Sequence, residues 1–420
     1  MDKIIIQGGR PLAGSVRVGG SKNACLPLMA ACMLAGGACR LQNVPDVQDI
    51  RTMAQMLELM GVSVRREDHA LVLDPAKLAN RRAPYELVST MRASIYVLAP
   101  LLSRFGEAEV AQPGGCAIGL RPIDQHLKGL EALGARVQLE HGYIRAAAPQ
   151  GLKGGEIYLD VASVGATVTI LLAAVLAKGR TVLEHAACEP EIMHLADGLN
   201  ALGARIQGAG SSRIVVEGVT QLGTATLTVI PDRIEAGTLA LAGAMTGGEV
   251  TLEGYPASHL AALESKLQEA GVEWRHEGET VLRLAPRQAP LRPVDVVTLP
   301  YPGFPTDLQA QWMALMCLAP GRSVVTETVW ENRFMHVAEL NRMGADIQIE
   351  GSNALIRGGR PLSGAQVMAS DLRASAALIL AALVAEGETQ VSRIYHLDRG
   401  YEHLERKLAA LGASIQRVKA

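Results

Sequence analysis

Basic side chains recur at one position in this sequence, the start of a repeated apolar helix. Six segments rich in Ala and Leu end in Gly, and the residues 14 or 15 positions before that Gly are Lys22, Arg92, Gly165, Arg233, Asp307 and Arg373. A cation in the first turn opposes the helix dipole, which favours anions there by about 0.3–1 kcal/mol. Four cations in six positions therefore indicate an anionic ligand, because helix N–H groups bind phosphate or carboxylate and a basic side chain completes the site. Surface arginines in mutual salt bridges are the alternative interpretation.

A second helix in each repeat shows a similar bias. Arg121, Arg333 and Arg399 stand where three of these second helices are predicted to begin. So many equivalent cations can face one ligand only if the helices converge. We therefore expect helix N-termini that point inward around a cleft between two domains.

Asp307 is a carboxylate at a position where other repeats carry cations. Because Asp is common near helix N-termini, an ordinary capping role is one interpretation. In a cleft crowded with Arg and Lys, the pKa of Asp307 is expected to be lowered and the carboxylate to stay ionised. It could then accept a proton from a substrate hydroxyl.

Cys116 lies in the phrase QPGGCAIGLRP, whose glycines predict a flexible loop. Arg121 follows five residues later, and a nearby cation favours the thiolate, so we predict a chemical role for this cysteine. Cys25, Cys32 and Cys317 lie in apolar stretches and are predicted to belong to the core. The six cysteines form no CxxC pair and have no His at ligand spacing, so neither a metal site nor a disulfide framework is expected.

The phrase GGSK at residues 19–22 is not a Walker A loop, and no GxGxxG phrase follows a strand. Neither a nucleotide kinase nor a dinucleotide enzyme is therefore indicated. We expect no cofactor.

The elements that must position these residues form a repeat. The phrases LELMGVSV, LEALGARV, LNALGARI, LQEAGVEW, LNRMGADI and LAALGASI contain Gly61, Gly134, Gly203, Gly271, Gly344 and Gly412. Successive glycines are 73, 69, 68, 73 and 68 residues apart. Each phrase follows an apolar helix that ends in Gly and a β-rich run, so each unit is predicted as helix, strand, helix and a strand pair. Because their Ala and Leu lie on most sides, the first helices are expected to be buried. The first 20 residues hold strands but no helix, so they must complete a sheet elsewhere.

Composition limits the functions that this chain can have. At 420 residues, two domains of about 200 residues are expected. A net charge of −2 argues against general affinity for nucleic acid. The longest apolar runs are shorter than the roughly 20 residues of a membrane span, and no signal peptide is evident, so a cytoplasmic protein is expected.

The segments that carry these residues resemble the enolpyruvyl transferase family, and within it the UDP-N-acetylglucosamine 1-carboxyvinyltransferases. They are GGSKNA, TMRAS, PGGCAIGLRPID, SVGATV, PDRIEAGT, FPTDLQAQ, ENRFMH, DLRASAAL and RIYHLDRGYEHL. The resemblance runs from the first residues to the last, and PGGCAIGLRP is its most specific part. It implies an α/β fold, a two-domain inside-out α/β barrel of six βαβαββ units, three per domain. One domain would span residues 22–229, the other residues 1–21 and 230–420, with the active site in the cleft between them.

The resemblance also implies roles for individual residues. Cys116 would donate a proton to phosphoenolpyruvate and can form a covalent adduct with it, and Asp307 would lie at the 3-hydroxyl of the sugar. The residues that match phosphoenolpyruvate contacts are Lys22, Asn23, Arg121 and Arg399. Those that match contacts to UDP-N-acetylglucosamine are Arg92, Arg121, Pro122, Ile123, Asp124, Gln125, Ser163, Val164, Asp307 and Val329. Arg333 and Arg373 would support these groups.

The implied reaction transfers the enolpyruvyl group of phosphoenolpyruvate to the 3-hydroxyl of UDP-N-acetylglucosamine through a tetrahedral ketal and releases phosphate. This is the first committed step of peptidoglycan precursor synthesis, and the family is the target of fosfomycin. Val161 and Gln48 stand where some relatives carry Lys, so a charged contact is not expected at either position.

Three other functions stay open at this point. A shikimate enolpyruvyl transferase would share the fold and the basic cleft, but its members lack the PGGC loop. An RNA 3′-terminal phosphate cyclase, built on similar units, would need a nucleotide-accepting His and a basic surface. A repeat scaffold without catalytic activity would have no reason to align cations at helix starts.

Overall fold

A computed structural model of the chain describes residues 2–113 and 123–419. The described chain divides into two compact units. The first unit lies between residues 20 and 230, and the second contains residues 2–19 and 231–419. The N-terminal segment thus belongs to the same unit as the C-terminal half of the chain.

Short helices and strands alternate through the first unit, after two strands that belong to the second unit. Those two strands are β1 Asp2–Gln7 and β2 Gly14–Arg17. The helices of the first unit are α1 Lys22–Cys32, α2 Gln48–Met60, α3 Tyr85–Val88, α4 Leu98–Phe105, α5 Asp124–Ala132, α6 Val164–Ala174 and α7 Pro190–Ala201, with 3₁₀ helices at Pro75–Lys77 and Arg92–Val97. Its strands are β3 Cys39–Gln42, β4 Ser63–Glu67, β5 Ala70–Asp74, β6 Arg82–Ala83, β7 Glu107–Ala111, β8 Arg136–Glu140, β9 Tyr143–Ala147, β10 Glu156–Tyr158, β11 Arg180–Glu184, β12 Arg205–Gln207, β13 Arg213–Glu217 and β14 Thr226–Thr228.

The rest of the second unit repeats this alternation. Its helices are α8 Arg233–Thr246, α9 Ala261–Glu269, α10 Gln309–Met316, α11 Val337–Arg342, α12 Leu372–Val384 and α13 Leu404–Ala410, with 3₁₀ helices at Ala257–His259, Thr306–Leu308 and Ile394–Arg399. Its remaining strands are β15 Val250–Glu253, β16 Trp274–His276, β17 Val281–Leu284, β18 Val296–Val297, β19 Gly321–Thr326, β20 Ile347–Glu350, β21 Asn353–Gly358, β22 Gln366–Met368, β23 Glu388–Ser392 and β24 Ser414–Lys419.

Each unit contains three four-stranded sheets in its described residues, and all six sheets have the same pattern of strand directions. One edge pair is parallel and the other two pairs are antiparallel. The sheets of the first unit have the orders β14-β3-β5-β4, β6-β7-β9-β8 and β10-β11-β13-β12. Those of the second unit have the orders β2-β15-β17-β16, β18-β19-β21-β20 and β22-β23-β1-β24. In four sheets the parallel pair flanks a helix crossover, and in five sheets two antiparallel strands form a hairpin, so the predicted βαβαββ unit is confirmed.

Strands from distant parts of the chain complete three of these sheets. In the second unit, β2 lies parallel to β15, and β1 lies between β23 and β24. In the first unit, β14 returns from the end of the unit to lie parallel to β3. The prediction that the first strands complete sheets elsewhere in the chain is therefore confirmed.

Helices occupy the interior of each unit. In the second unit, α8, α10 and α12 pack on one another, and all eight residues of α10 are buried. In the first unit, α6 packs against α1 and α4, and ten of the eleven residues of α1 are buried. This is the inside-out arrangement of an α/β barrel, and it explains why these helices are apolar on most sides.

The six repeat glycines end the second helices in the same way. Their φ angles lie between +83° and +104°, a conformation that glycine adopts without a steric penalty. The regular spacing of these glycines thus reports one backbone turn repeated six times.

Among the described residues, none of the helices combines the length and the hydropathy that crossing a membrane requires.

Candidate active site

Asp307 lies in the 3₁₀ helix just before α10, and its two carboxylate oxygens bind two different arginines. Arg333 Nη2 donates to Oδ1 at 2.7 Å, and Arg373 Nη2 donates to Oδ2 at 2.8 Å. Both arginine side chains are 5% exposed, whereas that of Asp307 is 28% exposed. The side chain of Asp307 is therefore partly exposed to solvent, whereas its two guanidinium partners are buried.

The charge state of Asp307 follows from these contacts. Burial alone would raise the pKa of this carboxyl, but the guanidinium groups of Arg373 and Arg333 outweigh it and hold the pKa well below its usual range. Burial likewise opposes the charge of Arg373, yet the Asp307 carboxylate raises the pKa of this arginine above its usual value. The expected lowering of the pKa of Asp307 is confirmed. The same contacts make Asp307 a weaker base than an isolated carboxylate.

Two buried polar side chains, Gln311 and Tyr401, contact Asp307 and one of its arginine partners. Gln311 Nε2 donates to the backbone oxygen of Asp307 at 3.1 Å and contacts Tyr401 Oη at 3.2 Å. The guanidinium carbon of Arg373 lies 5.3 Å from the centre of the Tyr401 ring, close enough for a cation–π interaction. Neither Gln311 nor Tyr401 was predicted as a site residue from the sequence. A glutamine inside the apolar segment QWMALM was the available signal.

Arg399 ends the 3₁₀ helix Ile394–Arg399 and is half-buried. Its neighbour His396 has a lowered pKa, caused first by burial, opposed by Asp371 and assisted by Arg399. Asp371 caps α12 by accepting hydrogen bonds from the backbone N–H groups of Arg373 and Ala374 at 2.9 and 3.0 Å. Arg399 and Arg373 are thus both near the Asp371 end of α12.

The placement of two basic residues differs from the sequence-based prediction. Arg333 and Arg399 were predicted to begin second helices, but Arg333 lies in a turn ahead of α11 and Arg399 ends a 3₁₀ helix ahead of α13. These chain segments have a tighter turn where a regular first turn was expected. Lys22 and Arg233, in contrast, are the first residues of α1 and α8, as predicted.

Lys22 is 8% exposed, and its Nζ donates to Asp49 Oδ2 at 3.0 Å. An ammonium group has three N–H donors, so this ion pair leaves donors for an anionic ligand. Asn23 is the one residue of α1 that is not buried. Asp49 thus balances the charge of Lys22, but this pair is buried, unlike the surface arginine pairs of the alternative interpretation.

Gln125 is buried at the start of α5, and its side chain bridges to the segment after β10. Its Nε2 donates to Asp124 Oδ2 and to Asp160 Oδ2, both at 2.9 Å, and its Oε1 accepts from the Asp160 N–H at 2.9 Å. Ile123 precedes α5 as its N-cap residue. The amide thus ties the start of α5 to the segment that leads into α6, which brings two groups of predicted sugar-nucleotide contacts together in the first unit.

Ser163 caps α6, where its hydroxyl accepts from the N–H of Ala166 at 3.2 Å, and Val164 is the first helical residue. His126 packs against the same helix, where its Nδ1 lies 2.8 Å from Thr169 Oγ1. Burial lowers the pKa of His126 to about 3, with a further contribution from the charge of Arg92, which begins a 3₁₀ helix. His126 was not predicted as a site residue from the sequence.

The remaining predicted residues have the following positions. Val329 follows β19 and its N–H donates to Glu327 Oε1 at 2.8 Å. Gln48 begins α2, and the side chain of Val161 is exposed. Cys116, Arg121 and Pro122 lie outside the described residues, so their predicted roles stay predictions. Within residues 2–113 and 123–419, no group of three or more His, Cys, Asp or Glu residues is arranged to hold a metal ion.

Comparisons with known proteins cover the whole chain. The family model of EPSP synthase (3-phosphoshikimate 1-carboxyvinyltransferase) matches residues 6–408. A UDP-N-acetylglucosamine 1-carboxyvinyltransferase of Trichlorobacter lovleyi is 55% identical over 418 residues, which is 100% of this chain and 99% of that protein. One of Desulfosudis oleivorans is 53% identical over 418 residues, 100% of each chain. The crystal structure of the enolpyruvyl transferase NikO from Streptomyces tendae superposes with a TM-score of 0.91 at 28% identity, covering 100% of this chain and 99% of that one.

Proposed function

Because the chain belongs to the UDP-N-acetylglucosamine 1-carboxyvinyltransferase family, we propose that it transfers the enolpyruvyl group of phosphoenolpyruvate to the 3-hydroxyl of UDP-N-acetylglucosamine and releases phosphate. This is the first committed step of peptidoglycan precursor synthesis. Among the described side chains, the observation that carries the proposal is the ionised Asp307 held between Arg333 and Arg373. A fixed carboxylate that reaches solvent is suited to orient a sugar hydroxyl.

The reaction needs an acid, a base and neutralisation of negative charge. Cys116 protonates C3 of phosphoenolpyruvate, and C2 gains the character of a cation. The 3-oxygen of the sugar attacks C2 and loses its proton, which gives a tetrahedral ketal. Loss of phosphate together with a proton from C3 then forms the enolpyruvyl ether. Lys22, Arg121 and Arg399 bind the phosphate and carboxylate groups, where fixed charges act most strongly once water is excluded.

The geometry of Asp307 refines its role. Each of its oxygens already accepts a hydrogen bond from a guanidinium group, and a second lone pair on one oxygen is available to the 3-hydroxyl. Its lowered pKa makes it a weak base in the ground state. Asp307 therefore first orients the hydroxyl and takes its proton only as the attack on C2 makes that proton acidic.

The other predicted contacts belong to the binding of the two substrates. Asn23 joins Lys22 at phosphoenolpyruvate. Arg92, Val329 and the segments that include Gln125 and Ser163 bind the sugar nucleotide. The predicted domains at residues 22–229 and at residues 1–21 with 230–420 are part of this proposal. Both substrates are metabolites of the cytoplasm, so we place the reaction there, with no cofactor and no nucleic-acid partner.

Phosphate release tests the proposal against its rivals. The purified protein is incubated with phosphoenolpyruvate and with UDP-N-acetylglucosamine, shikimate 3-phosphate or no acceptor. We expect phosphate only with the sugar nucleotide, together with a product heavier by one enolpyruvyl group in place of a hydrogen. Release with shikimate 3-phosphate would assign the chain to the other enolpyruvyl transferases. Absence of release with either acceptor would favour a scaffold or a cyclase.

A further inference from the structure

Glu327 is a buried carboxylate that no step above uses. It directly follows β19, is 3% exposed and lies in the second unit. Four hydrogen-bond donors surround it. They are Thr298 Oγ1 at 2.8 Å, Thr306 Oγ1 at 2.8 Å, the Val329 N–H at 2.8 Å and the Trp330 N–H at 3.1 Å. Both carboxylate oxygens therefore accept hydrogen bonds, Oε1 from three donors and Oε2 from one.

Thr306 connects this carboxylate to the candidate active site. A hydroxyl has one proton, and the proton of Thr306 points to Glu327 Oε2. The oxygen of Thr306 therefore presents its lone pairs to Arg333, whose Nη1 lies 2.7 Å away. The other nitrogen of the same guanidinium, Nη2, donates to Asp307 Oδ1. The guanidinium is thus fixed at both ends, by Thr306 and by Asp307.

We propose that Glu327 and Thr306 are positioning residues that act on Asp307 through Arg333. The inference rests on the proposed function, because Asp307 is the group whose orientation matters in that reaction. A guanidinium held at Nη1 cannot rotate away, so Nη2 stays directed at Asp307. Glu327 also fixes the Val329 N–H, so one buried carboxylate positions both the proton acceptor and a segment proposed to contact the sugar nucleotide.

A purely structural role for Glu327 is the alternative, since it also fixes the backbone after β19. The structural role and the positioning role differ, because only the positioning role acts through Arg333.

The variants that test this difference change the hydroxyl of Thr306. Thr306→Val removes the hydroxyl and keeps the shape of the side chain, whereas Thr306→Ser keeps the hydroxyl. Thr389→Val is the matched control, because Thr389 is fully buried and its hydroxyl has no hydrogen-bond partner in the part of the chain that the structure describes.

A double-mutant cycle with Arg333→Ala tests the coupling. We expect Thr306→Val to lower kcat by about tenfold or more, the loss expected for one hydrogen bond to a charged group. Thr306→Ser and Thr389→Val should stay within about threefold of the unmodified enzyme, roughly the scatter expected for side chains that make no such bond. In the Arg333→Ala background, Thr306→Val should have no further effect beyond about twofold, the usual limit of additivity. A full multiplicative loss in that background would overturn the proposal.

Glu327→Gln gives a second, different signature. The amide replaces one acceptor oxygen by a donor and cannot satisfy all four donors around it. We expect a lower kcat and also a higher KM for UDP-N-acetylglucosamine, because the Val329 segment loosens, whereas Thr306→Val should change kcat alone. An unchanged kcat with only a higher KM would contradict an action through Arg333.

A crystal structure of the Thr306→Val variant tests the same point without turnover. We expect Arg333 to leave hydrogen-bond distance of Asp307 Oδ1 or to lose its single orientation, while Arg373 stays bound to Oδ2. An Arg333 side chain in its original place would overturn the proposal. Failure of the unmodified enzyme to release phosphate, in contrast, would count against the proposed function and would not alter this result.

Discussion

Asp307 shows how one residue type gains a specific role from its neighbours. An aspartate near a helix start is ordinary, but here each carboxylate oxygen binds a buried arginine. These two arginines would be costly to bury without a counter-charge, since a buried charge without a partner costs about 3–5 kcal/mol. The same three side chains therefore stabilise the second unit and hold the Asp307 carboxylate in one place.

Asp307→Asn should separate these two contributions. The amide keeps the shape but not the charge, so we expect turnover to fall by about 10²- to 10⁴-fold, the range for a lost acid–base group. Binding of UDP-N-acetylglucosamine, measured by calorimetry, should persist. Asp346→Asn is the matched control, because Asp346 also pairs with two arginines, Arg357 at 3.2 Å and Arg360 at 3.8 Å, away from the site. Loss of sugar binding alone would make Asp307 an anchor.

Cys116 should be the cysteine that reacts with an epoxide phosphonate such as fosfomycin. Burial raises the pKa of Cys25 and of Cys317 to about 12, so both stay as unreactive thiols, and burial also raises the pKa of Cys188. Hydrogen bonding to a neighbouring thiol lowers the pKa of Cys39 to about 7, but this residue is 1% exposed. We expect one adduct in intact-mass measurement, at Cys116 by peptide mapping, formed faster with UDP-N-acetylglucosamine.

Variants at the same position control this labelling experiment. Cys116→Asp should keep some turnover, because a carboxylic acid also donates a proton, and it should resist alkylation. Cys116→Ala should be nearly inactive. Equal labelling of Cys39, Cys188 and Cys116 without an effect of the sugar nucleotide would contradict the assignment.

At the scale of elements, helix starts carry the predicted site in both units. Ser163 and Asp371 cap α6 and α12 with their side chains, which leaves the neighbouring residues Val164 and Arg373 at the first turns. α5 and α6 pack closely, and a Cβ atom on Gly129 of α5 would lie 2.4 Å from Ile170 Cγ1 of α6. A Cβ atom on Gly165 of α6 would likewise lie 2.8 Å from His126 Nε2, so the same close packing buries this imidazole.

The burial of His126 predicts a pH dependence of stability. Its pKa is lowered to about 3 in the folded protein, whereas an unfolded histidine titrates near 6.5. The unfolded state therefore binds the proton first as the pH falls. The contribution to stability is complete above about pH 6.5 and is lost towards pH 3, by up to about 1.4 kcal/mol per pH unit.

His126→Asn tests this pH dependence, because the amide can still bond Thr169 but does not titrate. Urea unfolding between pH 7 and 4 should show a smaller loss of stability in the variant than in the unmodified protein. His336→Asn should show a related effect, since burial lowers the pKa of His336 to about 4. An unchanged slope in the His126 variant would contradict the buried neutral histidine.

At the scale of the whole molecule, the two units obtain their last strands differently. The first unit closes on itself, because β14 at its end pairs with β3 near its beginning. The second unit depends on β1 and β2 from the start of the chain. Residues 231–420 by themselves lack one central and one edge strand, and Ile4 and Ile6 of the central strand are fully buried.

A circular permutant of the second unit should therefore fold. In the sheet, Asp2 lies opposite Lys419, so a short Gly-containing hairpin can join the end of β24 to the start of β1. We expect residues 231–420 linked to residues 2–19 to unfold cooperatively in urea, as followed by circular dichroism. Residues 231–420 without the added strands are the control and should lack such a transition. Cooperative folding of that control would contradict the requirement for β1.

Local signals in the sequence predicted much of the fold. The spacing of the glycines from Gly61 to Gly412 reported one repeated turn, since only glycine adopts these positive φ values at low cost. The Ala- and Leu-rich helices were correctly expected to be buried. Asp307 was predicted as an ionised group because the cations at other helix starts are visible in the sequence. These features depend on neighbours along the chain, or on a pattern repeated along it.

Only the tertiary structure decided which partners each charge has. Asp307 and Arg373 are 66 positions apart, and nothing local to either indicates that they pair. Glu327, Gln311 and Tyr401 gain their roles from contacts between elements, and polar residues in apolar segments do not by themselves reveal a partner. Likewise, the N-terminal strands required a distant sheet, but the choice of β15, β23 and β24 depends on three-dimensional packing. Hydrogen bonds and ion pairs act over a few ångströms, so they are determined by the fold rather than by proximity in sequence.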